Sequence, residues 1–480
     1  MSRSKLSKVE HFVVLMLENR SFDQMLGYLY SDEGNKSPLG HSYEGLTGEE
    51  FNFDSKGNPI NVYKISPQDD YAYFMPGADP GEGYFNTNSQ LFSDHIAPSP
   101  ITKATNEGFV KNFEYTLGWE KKSKWSILPG TEGKSIMGMF TPGMLPVLST
   151  LARSYAVCDH WYCSAPTETL PNRAFLAMGT SQGRLTDKEK VYTAPTIFNL
   201  LSKNGKTWSI YGYDKAPLSR TSYADITHAS NDHFGMFSDF KESAEKGKLA
   251  NYVFLEPQWG KGGNSQHPNY DVAKGEELIL EVYNTLRGSP LWEKTLLIIT
   301  YDEHGGCYDH VAPPEDATPP DNTVGQYDFD FTRFGPRVPA VLVSPYIEAG
   351  TVYRVSAQET PIDHTSILKT IEERFGLPSL TQRDAVAPSL ANVLTLDKVR
   401  DDNPLKDVKA PTSSHKVDFD DEPDHLQQLY VDSMNSLPYE EVAKKDESNK
   451  QVSFSNSSEA MDYAHRRYHD YFSWYEKHNR

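Results

Sequence analysis

A chain of 480 residues with 38% hydrophobic and 24% charged side chains is globular in composition, not disordered, collagenous or coiled-coil. Its 47 Lys and Arg against 66 Asp and Glu leave a formal charge of −19, which disfavours binding a nucleic-acid backbone by bulk electrostatics. Three cysteines, Cys158, Cys163 and Cys307, cannot build a disulfide framework, and the odd count leaves at least one free thiol.

The longest wholly apolar runs, such as Phe12 to Leu17, fall far short of the roughly 20 residues a membrane span needs. Met1 to Glu10 carries Lys and Arg, but no apolar stretch of signal-peptide length follows before Glu18. The expectation is a soluble protein without a Sec-type leader: cytoplasmic, exported by another route, or trimmed of its leader.

Phe12 to Leu17 predicts a strand that runs straight into Glu18-Asn19-Arg20-Ser21-Phe22-Asp23. Residues from about 30 to 130 are turn-rich and weakly periodic, which predicts a long insertion folded over the core. Leu145, Leu148, Leu151 and Tyr155 then recur at helical spacing. From Pro195 onward helices and strands alternate. A helix over Ile197 to Lys203 ends at Gly205, and strands follow at Trp208 to Tyr213 and Tyr252 to Leu255. A helix over Glu276 to Leu286 is stopped by Gly288 and Pro290. Leu296 to Thr300 and Val338 to Val343 are continuous apolar strands, and Thr365 to Phe375 is a helix closed by Gly376. The fold class is therefore α/β, a layered, mostly parallel central sheet flanked by helices.

Residues 1–400 read as one domain carrying that insertion, and 401–480 as a C-terminal extension. Within the extension Val417 to Asp424 is acidic and Lys444 to Ser458 polar. At its end Tyr463, Tyr468, Tyr471, Phe472 and Tyr475 recur at helical spacing. A helix docked on the body is expected there, with a membrane- or partner-binding helix as the alternative.

In open α/β sheets functional groups gather past the carboxyl ends of the strands. Three strand ends are chemically suggestive: Glu18-Asn19 after the first, Asp302-Glu303-His304 after Leu296 to Thr300, and Ser344-Pro345-Tyr346 after Val338 to Val343. Carboxylates and a carboxamide favour a hard divalent cation without excluding zinc. Each pair alone also reads as a solvated turn or cap, although Gly305-Gly306 lets the chain turn sharply at the second end.

Pro166 to Arg173 leads into a helical start at Ala174 to Met178. A Thr just ahead of it, Thr169, reads as an N-cap, since the first turn holds Pro171. The same place is an anion site, where a hydroxyl activated by a metal or base can attack phosphorus. Of the 15 histidines, His267 lies in a loop and His364 at a helix N-terminus; either is structural or able to protonate a leaving oxygen. Cys163-Ser164-Ala165-Pro166-Thr167 departs from the sulfatase pattern C/S-x-P-x-R, with Pro one position late and no Arg.

Taken together, five stretches resemble the phosphoesterase family of bacterial and plant non-specific phospholipases C and a group of acid phosphatases, within the alkaline-phosphatase-like superfamily. They are Val9 to Asp23, Cys158 to Ser164, Thr169 to Arg173, Thr300 to Val311 and Asp363 to Leu368. The resemblance implies one divalent metal ion (Zn, Ca, Mg or Mn) held by Glu18, Asn19, Asp302 and Glu303, with Thr169 as a further ligand and as nucleophile. It also implies that His267 and His364 line a phosphate pocket. In one respect the chain departs from the family: Asp79-Pro80-Gly81-Glu82 carries Glu where relatives often have His.

The function so implied is hydrolysis of phosphate esters through a phosphothreonine, as a phospholipase C on glycerophospholipids such as phosphatidylcholine. Transient contact with a membrane surface goes with it. The alternatives are an acid phosphatase on small phosphomonoesters and, from another class, a non-catalytic metal-binding interaction module. Tyr71, Tyr73, Phe74, Tyr84 and Phe85 form either an apolar rim for acyl chains or the core of the insertion.

Overall fold

The computed structural model describes residues 5–479 apart from 124–126, 190, 261, 416–422, 424, 439–441 and 443–453. The acidic stretch at 417–424 and most of the polar stretch at 444–458 therefore lie outside the described residues.

Eight strands make the central sheet: β1 (His11–Leu17), β2 (Ala156–Cys158), β3 (Trp208–Gly212), β4 (Phe234–Met236), β5 (Tyr252–Glu256), β6 (Thr295–Tyr301), β7 (Ala340–Val343) and β8 (Thr351–Val352). Their spatial order is β8-β2-β7-β6-β1-β5-β3-β4. β1 is paired in parallel with β5 on one side and β6 on the other, and all seven residues of β1 and of β6 are buried. That explains their uninterrupted apolar sequences, because helices cover both faces. The register pairs Leu17 with Tyr301, so the residues that follow, Glu18 and Asp302, leave the sheet side by side.

The strand expected at Val338 to Val343 is present from Ala340 but runs antiparallel to β6, with Thr300 opposite Ala340 and Leu297 opposite Val343. Its carboxyl end, Ser344-Pro345-Tyr346, thus leaves at the opposite edge from Glu18 and Asp302, and the third strand end is not part of their cluster. A parallel return needs a crossover, usually helical. Between β6 and β7 the chain offers only loops and a single 3₁₀ turn at Gln326–Asp328.

The helices Ile197–Lys203 and Thr365–Phe375 fall where the spacing predicts them. The helix Val272–Arg287 starts four residues before the predicted Glu276, because the Asp271 side chain accepts the Ala273 amide and caps it. Among its described residues the insertion carries two α-helices, Tyr84–Phe92 and Phe109–Ser123. Phe109, Val110, Phe113 and Leu117 of the second pack in one apolar cluster with Tyr28, Cys307 and Tyr308 of the body, so this core is shared and not independent. Tyr73, Phe74 and Tyr84 are buried and Phe85 is exposed, which resolves that aromatic group mostly as core.

The terminal helix Ser457–Asn479 buries Tyr468, Tyr471 and Phe472 against the body. The Arg220 guanidinium sits 3.5 Å from the Phe472 ring centroid and donates to the Tyr468 hydroxyl at 2.9 Å. The aromatic spacing is therefore that of a docked helix. Among the described residues no helix is long and apolar enough to cross a membrane. All three cysteines are buried thiols.

Candidate active site

Past β1 the chain turns sharply at Asn19, whose φ of 56° lies in the left-handed region that Asn tolerates. The Asn19 backbone N–H donates to Asp302 Oδ1 at 3.0 Å, and the Glu303 N–H donates to the same oxygen at 2.8 Å. Gly305 follows with φ 61°, and a Cβ there would lie 2.0 Å from the Asn19 carbonyl oxygen. Only glycine lets the two strand ends approach this closely. Glu18, Asn19, Asp302 and Glu303 are all buried.

Thr169 opens the helix Thr169–Met178, and Glu168, not Thr169, occupies the cap position. The hydroxyl is therefore not a helix cap. It donates to Asn19 Oδ1 at 3.3 Å, bringing Thr169 into the Glu18–Asp302 cluster. The other residues of this segment explain why it holds that position. Asn172 Nδ2 bonds the carbonyls of Ala165, Thr167 and Glu168, bracing the loop before the helix. Arg173, one helical turn beyond Thr169, places Nε 2.9 Å from Asp302 Oδ2 and Nη2 3.9 Å from Glu18 Oε1. Burial works against the charge on Arg173, but Asp302 and Glu18 raise its pKa above the ordinary value. The helix terminus is less open to an anion than the sequence implies, because the Leu170 N–H is taken by Asp187 Oδ1 at 2.8 Å.

His364 is buried with both ring nitrogens engaged. Trp161 Nε1–H donates to its Nδ1 at 3.2 Å, and its Nε2 donates to the Asp302 carbonyl oxygen at 2.6 Å. Burial lowers its pKa, in keeping with a neutral ring. His304 is likewise buried and is pushed down to about 3 by desolvation.

Glu82 reaches the same cluster: Asn19 Nδ2 donates to its Oε2. Burial first, then the charges of Glu303 and Asp79, push its carboxyl well above the usual range, and burial with Asp302 does the same to Glu303. His267 places Nε2 3.9 Å from Asp79 Oδ1. Asp79 and Glu82 also line a cavity of about 370 Å³, together with Tyr115, Trp119, Glu120 and Glu168. The phenol of Tyr115 and the indole of Trp119 stand 63% and 49% exposed at this wall.

The chemistry of this donor set fits a divalent cation. Carboxylates, a carboxamide and a hydroxyl are hard oxygen ligands, and Glu303 Oε1 is buried without a hydrogen-bond partner among the described residues. Asp302 and Glu18 face Arg173, and Asp79 faces Arg20, while Glu82 and Glu303 add two further acidic groups, so carboxyl groups outnumber cations. A different acidic grouping, Asp23, Asp309 and His310, is already neutralised, since buried Arg337 pairs with Asp23 at 2.8 Å and Asp309 at 2.9 Å.

All seven residues singled out from sequence lie in or against this region. Arg173, Trp161, Asp187 and Asp79 were missed as functional neighbours. Arg173 lies four residues after Thr169 in the stretch Thr169 to Arg173, a spacing of one helical turn that puts it on the same face. Trp161 lies in the stretch Cys158 to Ser164, and Asp187 is joined to the site only through a tertiary contact.

Residues 9–378 match the model of the phosphoesterase family. The chain belongs to this family. Among similar phosphoesterases is non-specific phospholipase C3 of Arabidopsis thaliana, 35% identical over 425 residues that cover 84% of this chain and 76% of that protein. Non-specific phospholipase C1 of the same plant is 37% identical over 423 residues, covering 83% and 73%. Phospholipase C B of Mycobacterium tuberculosis is 26% identical over 465 residues, covering 84% and 80%. A solved structure of a protein in the alkaline phosphatase superfamily from Vibrio parahaemolyticus aligns over 52% of this chain and 65% of that one, at 14% identity and a TM-score of 0.31. As a phosphoesterase the protein is a phosphoric ester hydrolase, which sets aside the non-catalytic binding module.

Proposed function

We propose that this phosphoesterase is a phospholipase C that cleaves glycerophospholipids such as phosphatidylcholine through a covalent phosphothreonine at Thr169. The reading is carried by one observation: a buried threonine hydroxyl at a helix start, 3.3 Å from Asn19 Oδ1, among Glu18, Asp302 and Glu303. Relatives named as phospholipases C support the substrate class.

Glu18, Asn19, Thr169, Asp302 and Glu303 would hold a divalent cation, which would lower the hydroxyl pKa and neutralise phosphoryl charge. Asn19 orients the Thr169 hydroxyl. Arg173 and the two amides on Asp302 Oδ1 hold that carboxylate in place. The Thr169 Oγ–P bond forms as the P–O bond to the diacylglycerol oxygen breaks, and the hydroxyl proton ends on that alcohol. Water then displaces Thr169, releasing the phosphorylated head group and restoring the hydroxyl.

Of the two histidines expected to protonate the leaving oxygen, His364 or His267, the hydrogen bonds of His364 argue against that role. With both nitrogens engaged it is a positioning residue for Asp302. His267, on the Asp79 and Glu82 side, is then a residue of the pocket and not the proton donor, since its Nδ1 is given to the Pro268 carbonyl.

The acid-phosphatase alternative needs no apolar surface at the site. Tyr115 and Trp119, exposed beside Asp79 and Glu82, favour the lipid substrate. The test pairs a choline phospholipid with a simple aryl phosphate, and traps radiolabelled protein by acid quench. Turnover of the phospholipid with label on Thr169 is expected. Undiminished turnover by Thr169→Ala refutes the nucleophile, and preference for the aryl phosphate refutes the phospholipase.

A further inference from the structure

Glu82 changes the character of the pocket. It lies among other acidic groups: Asn19 Nδ2 donates to its Oε2, and Asp79, Glu120 and Glu168 line the same cavity, so a phosphodiester entering here meets carboxylates on several sides. A histidine in this slot would bring no negative charge at all. The substitution therefore calls for a compensating cation, and the surrounding side chains are suited to bind one.

Asp79, Glu82 and His267 each offer one ligand atom, and these atoms all lie within 4.8 Å of one another. Donors about 2.0–2.2 Å from a shared cation sit roughly 3–4 Å apart; His267 Nε2 and Asp79 Oδ1 are 3.9 Å apart. His267 Nδ1 donates to the Pro268 carbonyl at 3.1 Å, which leaves the lone pair on Nε2, the nitrogen facing Asp79. Asp79 and Glu82 open onto the 370 Å³ cavity, which gives a cation its way in from solvent. Beside these three, Glu303 Oε1 is buried without a hydrogen-bond partner among the described residues.

We propose that Asp79, Glu82 and His267 hold a second divalent cation beside the Glu18–Asp302–Glu303 site. Two carboxylates and an imidazole select zinc or manganese over calcium or magnesium. Asn19 joins the two sites, giving its backbone N–H to Asp302 and its side-chain N–H to Glu82. When bound, this ion offsets negative charge on the departing oxygen, the task the missing histidine leaves open. That role rests on the phosphothreonine reading; the binding itself does not.

The test counts metal. The full chain is stripped with chelator, dialysed against zinc or manganese, and analysed for bound metal by mass spectrometry, with melting curves to confirm folding. Two ions per wild-type chain are expected, and one each in Glu82→Gln and Asp302→Asn. One ion in wild type, kept by Glu82→Gln and lost by Asp302→Asn, overturns the second site while the first stands. One ion lost by Glu82→Gln and kept by Asp302→Asn instead removes the first. Two ions in wild type and still two in Glu82→Gln overturn the assignment to these residues.

Discussion

Arg173 Nε sits 2.9 Å from Asp302 Oδ2, a buried ion pair that ties the helix carrying Thr169 to the end of β6. The pair sets the distance between the hydroxyl and the carboxylates. Arg173→Met keeps side-chain length but leaves Asp302 and Glu18 without their cation. Loss of one partner of a buried pair costs about 3–5 kcal/mol. A fall of that order in urea-unfolding stability is expected, with weaker cation binding by titration calorimetry. Wild-type values for both would show that the pair does not organise the site.

Trp161, His364 and Asp302 form a chain of two hydrogen bonds that ends on a backbone carbonyl. Trp161→Phe removes the first donor at a cost of about 1 kcal/mol. Turnover is expected to fall several-fold through misplacement of Asp302, with no change in the pH profile, because His364 moves no proton. A profile that loses its acidic or basic limb in this variant would return His364 to the role of acid.

The Asp23–His310 pair makes stability depend on pH. His310 Nδ1 is 2.7 Å from Asp23 Oδ2; burial opposes its charge, but Asp23 outweighs burial and raises its pKa to about 10. The unfolded value is about 6.5. A cation whose pKa is raised on folding stabilises fully below the unfolded value and ceases to as pH climbs through the folded one. Stability should therefore decline from about pH 6.5 to 10 through this pair, and His310→Gln should flatten the decline. Equal slopes of melting temperature against pH in the two proteins would contradict it.

Gly305 tests how closely the two strand ends must meet. Its φ of 61° costs a non-glycine residue about 1–3 kcal/mol. An added Cβ at 2.0 Å from the Asn19 oxygen must also push the Glu18–Asn19 turn away. Gly305→Ala is expected to unfold more easily and to lose most activity, whereas Gly57→Ala, at φ 82° with open space around it, should keep activity. Full activity in Gly305→Ala would mean that the strand ends have slack.

The parts of this arrangement legible in the sequence share one property: each is written locally. β1 and β6 are apolar runs long enough to stand out, and the carboxylates follow them directly. Thr365–Phe375 announces both its face and its stop. β2, β4 and β8 have two or three residues each, too few for any period to show. The direction of β7 depends on a connection without regular periodicity. Asp187 joins the site across tertiary distance, so no spacing along the chain points to it, whereas Trp161 and Asp79 stand in stretches that the family resemblance marks without showing which member faces the site. The motif from Thr169 to Arg173 lies between these cases, since Arg173 is one turn from Thr169 but its partner Asp302 is 129 residues away.

Trp119 and Tyr115 stand four residues apart on the helix Phe109–Ser123, on the wall of the cavity that Asp79 and Glu82 also line. With a chain charge of −19, attraction to an anionic surface is disfavoured, so approach to lipid must use apolar and aromatic contact. Indole and phenol rings partition into the headgroup region, where one edge stays wet. Trp119→Ala should therefore slow hydrolysis of phosphatidylcholine in vesicles by about tenfold, the equivalent of roughly 1.4 kcal/mol. Hydrolysis of a short-chain, water-soluble phosphatidylcholine should change little, because the bond to be broken is the same and no surface must be reached. Equal losses on both substrates would place Trp119 against the head group instead of the lipid surface; no loss on either would make this exposed wall irrelevant to catalysis.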